Sequence, residues 1–135
     1  LGERQQVMMA KKQKKKSIIE ICPIRNVVAR FGNKWALLVI LILSENGCTR
    51  FNRLGKLIPD ISTKMLAGTL HMLEADGLVR RTVFHEVPIR VEYELTSTGQ
   101  SLVPIIRQLT DWALKNMKSI VNHRRMFEGD GNNRQ

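Results

Sequence analysis

From Ser17 onward the apolar positions fall into blocks of different period, and the blocks predict the elements. Ile18, Ile21, Val28 and Phe31 recur near helical spacing, and Pro23 suits the opening of that helix. Gly32 and Asn33 both tolerate positive φ, so a tight turn is expected there. Trp35 to Leu43 is apolar almost all round, the pattern of a central buried helix, and Asn46 and Gly47 end it. Thr49 is expected to cap a short helix carrying Phe51, Leu54 and Leu57. Pro59 and Asp60 then interrupt, because the residue before a proline leans away from helix. Ser62 caps a longer helix to about Ala75, with Leu66, Leu70 and Leu73 on one face, and Gly77 stops it.

After Gly77 the period changes from 3.6 to 2. Leu78, Val79, Thr82, Val83 and Phe84 are strand formers, as are Val91, Tyr93 and Leu95. Between them His85 to Arg90 reads as a loop with a central Pro88, so the pair is a β-hairpin with a long tip. From Thr98 the pattern is helical again through Leu102, Ile105, Ile106, Leu109, Trp112, Ala113, Met117 and Ile120, with Pro104 expected to kink the early turns. Three segments result: a polar arm at 1–16, a domain at 17–125 and a polar tail at 126–135. The predicted class is mainly α with a small β-hairpin (α+β). A short helix, a tight turn, a capped second helix and an immediate hairpin make a winged helix-turn-helix.

Length and composition fit one domain of this kind. A chain of 135 residues has room for a single core without disulfide or metal support. The longest apolar run, Trp35 to Leu43, is too short to cross a bilayer, so no transmembrane segment is expected, and no membrane is counted among the partners. Cys22 and Cys48 are too few for a secreted disulfide scaffold, which favours a reduced, cytoplasmic protein. These cysteines with His71, His85 and His123 show no paired metal-ligand spacing, so neither metal nor cofactor is expected.

Charge adds the first clue to a partner. The net charge is +10 and the isoelectric point near 10.2, a balance that favours a polyanion, either nucleic acid or an anionic membrane face. Half the excess sits in residues 1–16, around the run Lys11-Lys12-Gln13-Lys14-Lys15-Lys16. Such a run is more often a solvated arm than a specific reader.

On the 62–75 helix the apolar stripe leaves Lys64, Gly68, His71 and Ala75 pointing outward. That row offers donors and lets a backbone come close, as base reading in a major groove requires. Ser62 and Thr63 lie where free N–H groups favour a phosphate. Thr49 and Arg50 begin the preceding helix and are placed to clamp a DNA backbone, and Arg80, Arg81 and Arg90 give the hairpin a positive rim. Each has a plainer reading. Ser62 caps its helix whatever else it does, Lys64 taken alone is an ordinary surface lysine, and His71 serves equally as a half-exposed histidine. Arg80 and Arg81 alternate faces, so only one of them, Arg81 in our assignment, can face DNA.

An ordered set of short motifs carries a resemblance. Cys22-Pro23, Gly32-Asn33-Lys34-Trp35, Arg50-Phe51-Asn52, Ile58-Pro59 with Ile61-Ser62, and Lys64-Met65-Leu66 come first. Leu73-Glu74 with Asp76-Gly77-Leu78-Val79, Val91-Glu92-Tyr93 with Leu95-Thr96, and Gly99 follow. Together they resemble the HxlR-type winged-helix regulators, relatives of the MarR group. The match runs from about Cys22 to Trp112, and its specificity lies in the order of the set. It implies a homodimeric transcription regulator, in the simpler case a repressor. Such a protein binds a two-fold symmetric double-stranded operator, with dimer contacts from the N- and C-terminal helices. The chain departs from the family at several points: Asn33 and Asp60 stand where glycines are common, and Gly55 and Gly68 where longer polar residues are usual. His71 replaces a frequent basic residue, and the lysine-rich arm lies outside the match.

The resemblance also implies sensing of oxidants or electrophiles by the cysteine of the Cys-Pro motif, here Cys22. A cysteine near a helix N-terminus has its thiolate stabilised by the dipole, and Arg25 would add to this. A small electrophilic effector follows from that reading; the plainer alternative is a buried packing cysteine, and Cys48 is read as structural. Two other function classes compete. A winged-helix module binding nucleic acid without sequence preference, or binding a protein, would show a steep salt slope and no preferred site. An enzyme has little support, since no phosphate loop, metal spacing or Cys-His pairing stands out.

Overall fold

A computed structural model describes residues 24–133, in two compact units divided between Lys34 and Trp35. In the first unit, helix α1 spans Ile24–Arg30, and its Ile24, Val27 and Val28 side chains are exposed. The Cys22 prediction lies outside the described residues, as does the basic arm.

The second unit begins with α2 (Ala36–Asn46), followed by β1 (Thr49–Arg50), α3 (Phe51–Leu57) and α4 (Thr63–Ala75). The hairpin strands β2 (Val79–Phe84) and β3 (Arg90–Leu95) come next, and then α5 (Ser97–Asn133). Helix α2 buries Ala36, Val39, Ile40 and Leu43, one stripe at helical spacing. It is not buried all round: Leu38 stays exposed on the other side. Leu54 and Ile58 from the α3 end, and Leu66, Thr69, Leu70 and Leu73 from α4, close over the same core. Thr69 is a buried polar residue that an apolar-stripe argument passes over.

The α4 start follows the predicted chemistry. Ser62 is extended at φ −74°, ψ 153°, and its Oγ accepts the Met65 N–H at 3.0 Å. That hydrogen bond satisfies one of the donors a helix N-terminus leaves unpaired. The α3 start does not. Arg50, not Thr49, holds the capping position, without a side-chain cap. Between α3 and α4 the chain reverses at Asp60, whose φ is +66°. An aspartate tolerates this left-handed conformation, which a glycine adopts without steric cost.

The sheet has three antiparallel strands in the order β1-β3-β2. The hairpin register runs from Val79 opposite Leu95 to Phe84 opposite Arg90, and β1 pairs Thr49 with Tyr93 and Arg50 with Glu92. Side chains opposite one another share a face, so Arg81 and Tyr93 lie on one side, and Arg80 and Glu94 on the other. Gly77, at φ +76°, turns the chain from α4 into β2. At the base of the hairpin, Thr96 Oγ1 donates to the Gly77 carbonyl at 2.6 Å and accepts the Gly99 N–H at 3.2 Å. One hydroxyl therefore ties the start of the hairpin to the first turn of α5.

Helix α5 is about 55 Å long at 1.5 Å per residue. It extends through the stretch expected to be a polar tail, as far as Asn133. Pro104 lies within it, exposed and past the first turn, so it leaves the Gln100 carbonyl without its i+4 N–H partner. Only the early turns reach the core, through Val103 and Ile106. Farther along, Leu109, Trp112, Met117 and Ile120 remain exposed. No helix among the described residues is long and apolar enough to cross a membrane.

Candidate nucleic-acid interface

Helix α4 packs Leu66, Leu70 and Leu73 inward, and that choice decides its outer face. Lys64, Gly68, His71 and Ala75 are exposed on it, with Ala67 beside them. Around Gly68 nothing among the described residues lies within 4 Å of where a Cβ would stand. At the N-terminal end Ser62 and Thr63 are exposed, next to the free N–H groups of the first turn. The predicted row is thus assembled on one surface.

The hairpin lies against this helix, but its three arginines, and Arg50 on the neighbouring β1, differ in what holds them. Arg80 Nη1 donates to Glu94 Oε1 at 3.1 Å, directly across the ladder. Arg90 stacks 4.1 Å over the Phe84 ring and lies 3.2 Å from Glu92 Oε1 and 3.6 Å from Glu86 Oε1. It is half-buried, so the positive rim expected at Arg90 is neutralised where it stands. The reason is the register, which sets Arg90 opposite Phe84 and two residues from Glu92 on one face. Arg50 lies 4.0 Å from the same Glu92 oxygen with its side chain largely exposed, a loose pairing of little energetic weight. Arg81 alone makes no ion pair among the described residues, and it points into a cleft shared with Ala67, His71, Glu74 and Tyr93.

Thr49 is a correction. It belongs to β1 rather than a helix start, is 4% exposed, and donates its hydroxyl to the Gly47 carbonyl at 2.8 Å. Pairing with Tyr93 of β3 holds it in the edge strand β1 with its side chain buried.

A wider groove opens between the start of α3 and the hairpin tip. Phe51 and Tyr93 wall it, with ring centroids 6.4 Å apart and tilted by 50°, and Arg50, Arg81 and Arg90 reach its rim. Aromatic and cationic walls suit a polyanion or its sugar edge. In sequence Phe51 is a helix residue and Tyr93 a strand residue, each within one of the resemblance motifs; no local signal brings them together. Glu74 was also passed over, although one of its carboxylate oxygens is buried without a hydrogen-bond partner.

Cys48 is exposed rather than packed, and its Sγ donates to Glu92 Oε2 at 3.1 Å. That hydrogen bond, with partial burial and the Glu92 charge, pushes its pKa from 9.0 up to about 11. No three His, Cys, Asp or Glu among the described residues are grouped to hold a metal ion.

Capped second helix, outward polar row and flanking hairpin define a winged helix-turn-helix protein of the transcription-regulator class. The chain belongs to the HxlR-like helix-turn-helix family, whose pattern matches residues 30–121. An uncharacterised HTH-type transcriptional regulator of Halalkalibacterium halodurans is 37% identical over 111 residues, 82% of this chain and 98% of its own length. A MarR-family regulator of Porphyromonas gingivalis, described as putative by its own name, superposes with a TM-score of 0.67 at 36% identity. It covers 76% of this chain and 99% of its own. The redox regulator HypR in its reduced form superposes with a TM-score of 0.68, also at 36% identity, covering 74% and 98%.

Proposed function

We propose that the protein is a homodimeric regulator that reads a two-fold symmetric DNA operator, and in the simplest case represses by blocking polymerase. The observation that carries this reading is the exposed row Lys64, Gly68 and His71 on α4 beside the unpaired Arg81. Lys64 and His71 supply donors to base edges, and Gly68 allows close approach. Ser62, Thr63 and Arg50 meet phosphates, which set register rather than sequence. Arg81 meets a phosphate from the wing.

A second copy accounts for exposed apolar surface that the described chain leaves uncovered. Ile105, Leu109 and Trp112 repeat at i, i+4, i+7 on α5, and all three are exposed. With α1 they supply the dimer contact, and a dimer presents two α4 helices to major grooves about 34–36 Å apart. Cys22 is the sensing thiol in this reading, alkylated or oxidised so that the two α4 helices shift; the likeness to a redox regulator supports it.

The test is selection of bound sites from a random DNA pool with reduced protein at about 0.15 M salt, where non-specific attraction is partly screened. A palindromic site is expected. Enrichment of no sequence would favour a non-specific or protein-binding module. On the selected site, Lys64→Ala changes site preference, whereas Lys14→Ala lowers only the salt dependence. Cys22→Ser keeps binding and loses any response to diamide or quinone, and a retained response overturns the sensing role.

A further inference from the structure

The cleft between α4 and the hairpin holds an acid that the DNA-reading row does not explain. Glu74 lies in the last turn of α4, where the peptide dipoles already leave negative partial charge. Its Oε2 is cut off from solvent and has no hydrogen-bond partner among the described residues. A carboxylate oxygen so placed is unfavourable until a cation or donor reaches it. His71, one turn earlier, and Arg81 and Tyr93, from the hairpin, share the cleft. Among these Arg81 has a fixed charge and the longest reach. Among the described residues it is also the hairpin arginine without a carboxylate, since Arg80 is held by Glu94, and Arg90 by Glu92 and Glu86.

We propose that Glu74 is a positioning residue for Arg81. When the wing meets DNA, the Glu74 carboxylate takes one edge of the guanidinium and the other edge is presented to a phosphate. This rests on the reading of α4 and the hairpin as the DNA-binding surface. A guanidinium has five N–H donors in a rigid planar fork, so it can serve two anions on different edges at once. Without DNA Arg81 is exposed and Glu74 Oε2 has no partner among the described residues, which is the arrangement observed. Binding DNA brings the two together. An ammonium in place of the guanidinium carries the same charge but lacks the fork.

The experiment measures affinity for the selected site in Glu74→Gln, Arg81→Ala, Arg81→Lys and the two double variants, with a thermal melt of each. Glu74→Gln is expected to leave the melting temperature unchanged or raised, because an unpaired charge is removed. The same variant is expected to weaken DNA binding about 3–10-fold, roughly the worth of one charge-assisted hydrogen bond. In the Arg81→Ala and Arg81→Lys backgrounds it should have no further effect, and Arg81→Lys should bind nearly as poorly as Arg81→Ala. Tighter binding by Glu74→Gln would show an acid that only repels phosphate and overturns the proposal, as would additive effects of the two sites. Should Glu74→Gln fail to fold, the comparison of Arg81→Lys with Arg81→Ala decides: full rescue by lysine overturns it. Wild-type protein that selects no site overturns the DNA-binding reading, and this one with it, before any variant is made.

Discussion

The Cys48 thiol and the Glu92 carboxylate are joined by a hydrogen bond of 3.1 Å between the residue just before β1 and the middle of β3. The thiol donates, so the bond exists only while Cys48 is protonated. Glu92 acts through that bond first, and burial and its charge add to it, raising the pKa from 9.0 to about 11. Because the folded pKa is raised, the stabilisation is fully present below pH 9 and is lost as pH rises through 11. In a Cys22→Ser background, where Cys48 is the only thiol, labelling at pH 8 should run about 10- to 100-fold slower than a free cysteine. Glu92→Gln should restore most of that rate. Fast labelling of Cys48 with Glu92 intact would contradict the hydrogen bond.

Asp60 turns the chain at φ +66°, a conformation that aspartate tolerates and glycine adopts without penalty. Asp60→Gly should therefore raise stability, by about 0.5–1 kcal/mol in chemical denaturation, because relief of the left-handed strain outweighs the added freedom of the unfolded chain. A loss of stability would mean that the Asp60 side chain supports the turn.

Two helix-interior glycines separate folding from binding. A Cβ on Gly55 would meet Leu66 Cδ2 at 3.8 Å, an ordinary contact, and one on Gly68 would meet nothing. Each change to alanine should stabilise the free protein by up to ~1 kcal/mol. Only Gly68→Ala, on the outward row, should weaken operator binding. Equal DNA affinity for both variants would remove Gly68 from the interface.

Gly99 is the opposite case. A Cβ there would run into the carbonyl oxygen of Leu78, backbone that cannot swing aside. Gly99→Ala should destabilise the protein by about 1–3 kcal/mol, the usual cost of overpacking. Thr96→Ala should cost about 1 kcal/mol through its two lost hydrogen bonds. Melting curves of the two variants check both values.

Local periodicity revealed much of this molecule because several elements state their own rules. Ser62 caps α4, Leu66, Leu70 and Leu73 define its buried face, and the row they leave outside is the predicted one. Thr49 escaped the same reasoning. Its place in a two-residue strand depends on Tyr93, and a hydroxyl before a helix reads like a cap when that distant strand is unknown. The reach of α5 to Asn133 was hidden by Gly129 and Gly131, which weaken a helix pattern without ending it.

What the chain alone determined, then, is the order and type of most elements, the cap of α4 and the net positive charge. These follow from neighbours within a turn or two, where spacing and dihedral preference suffice. The tertiary structure decided which cations are still available. Arg80, Arg81 and Arg90 are alike in sequence, yet the register of β2 on β3 gives carboxylates to two and leaves Arg81 beside α4. Charge pairing across strands depends on separations in space, and no local pattern encodes them.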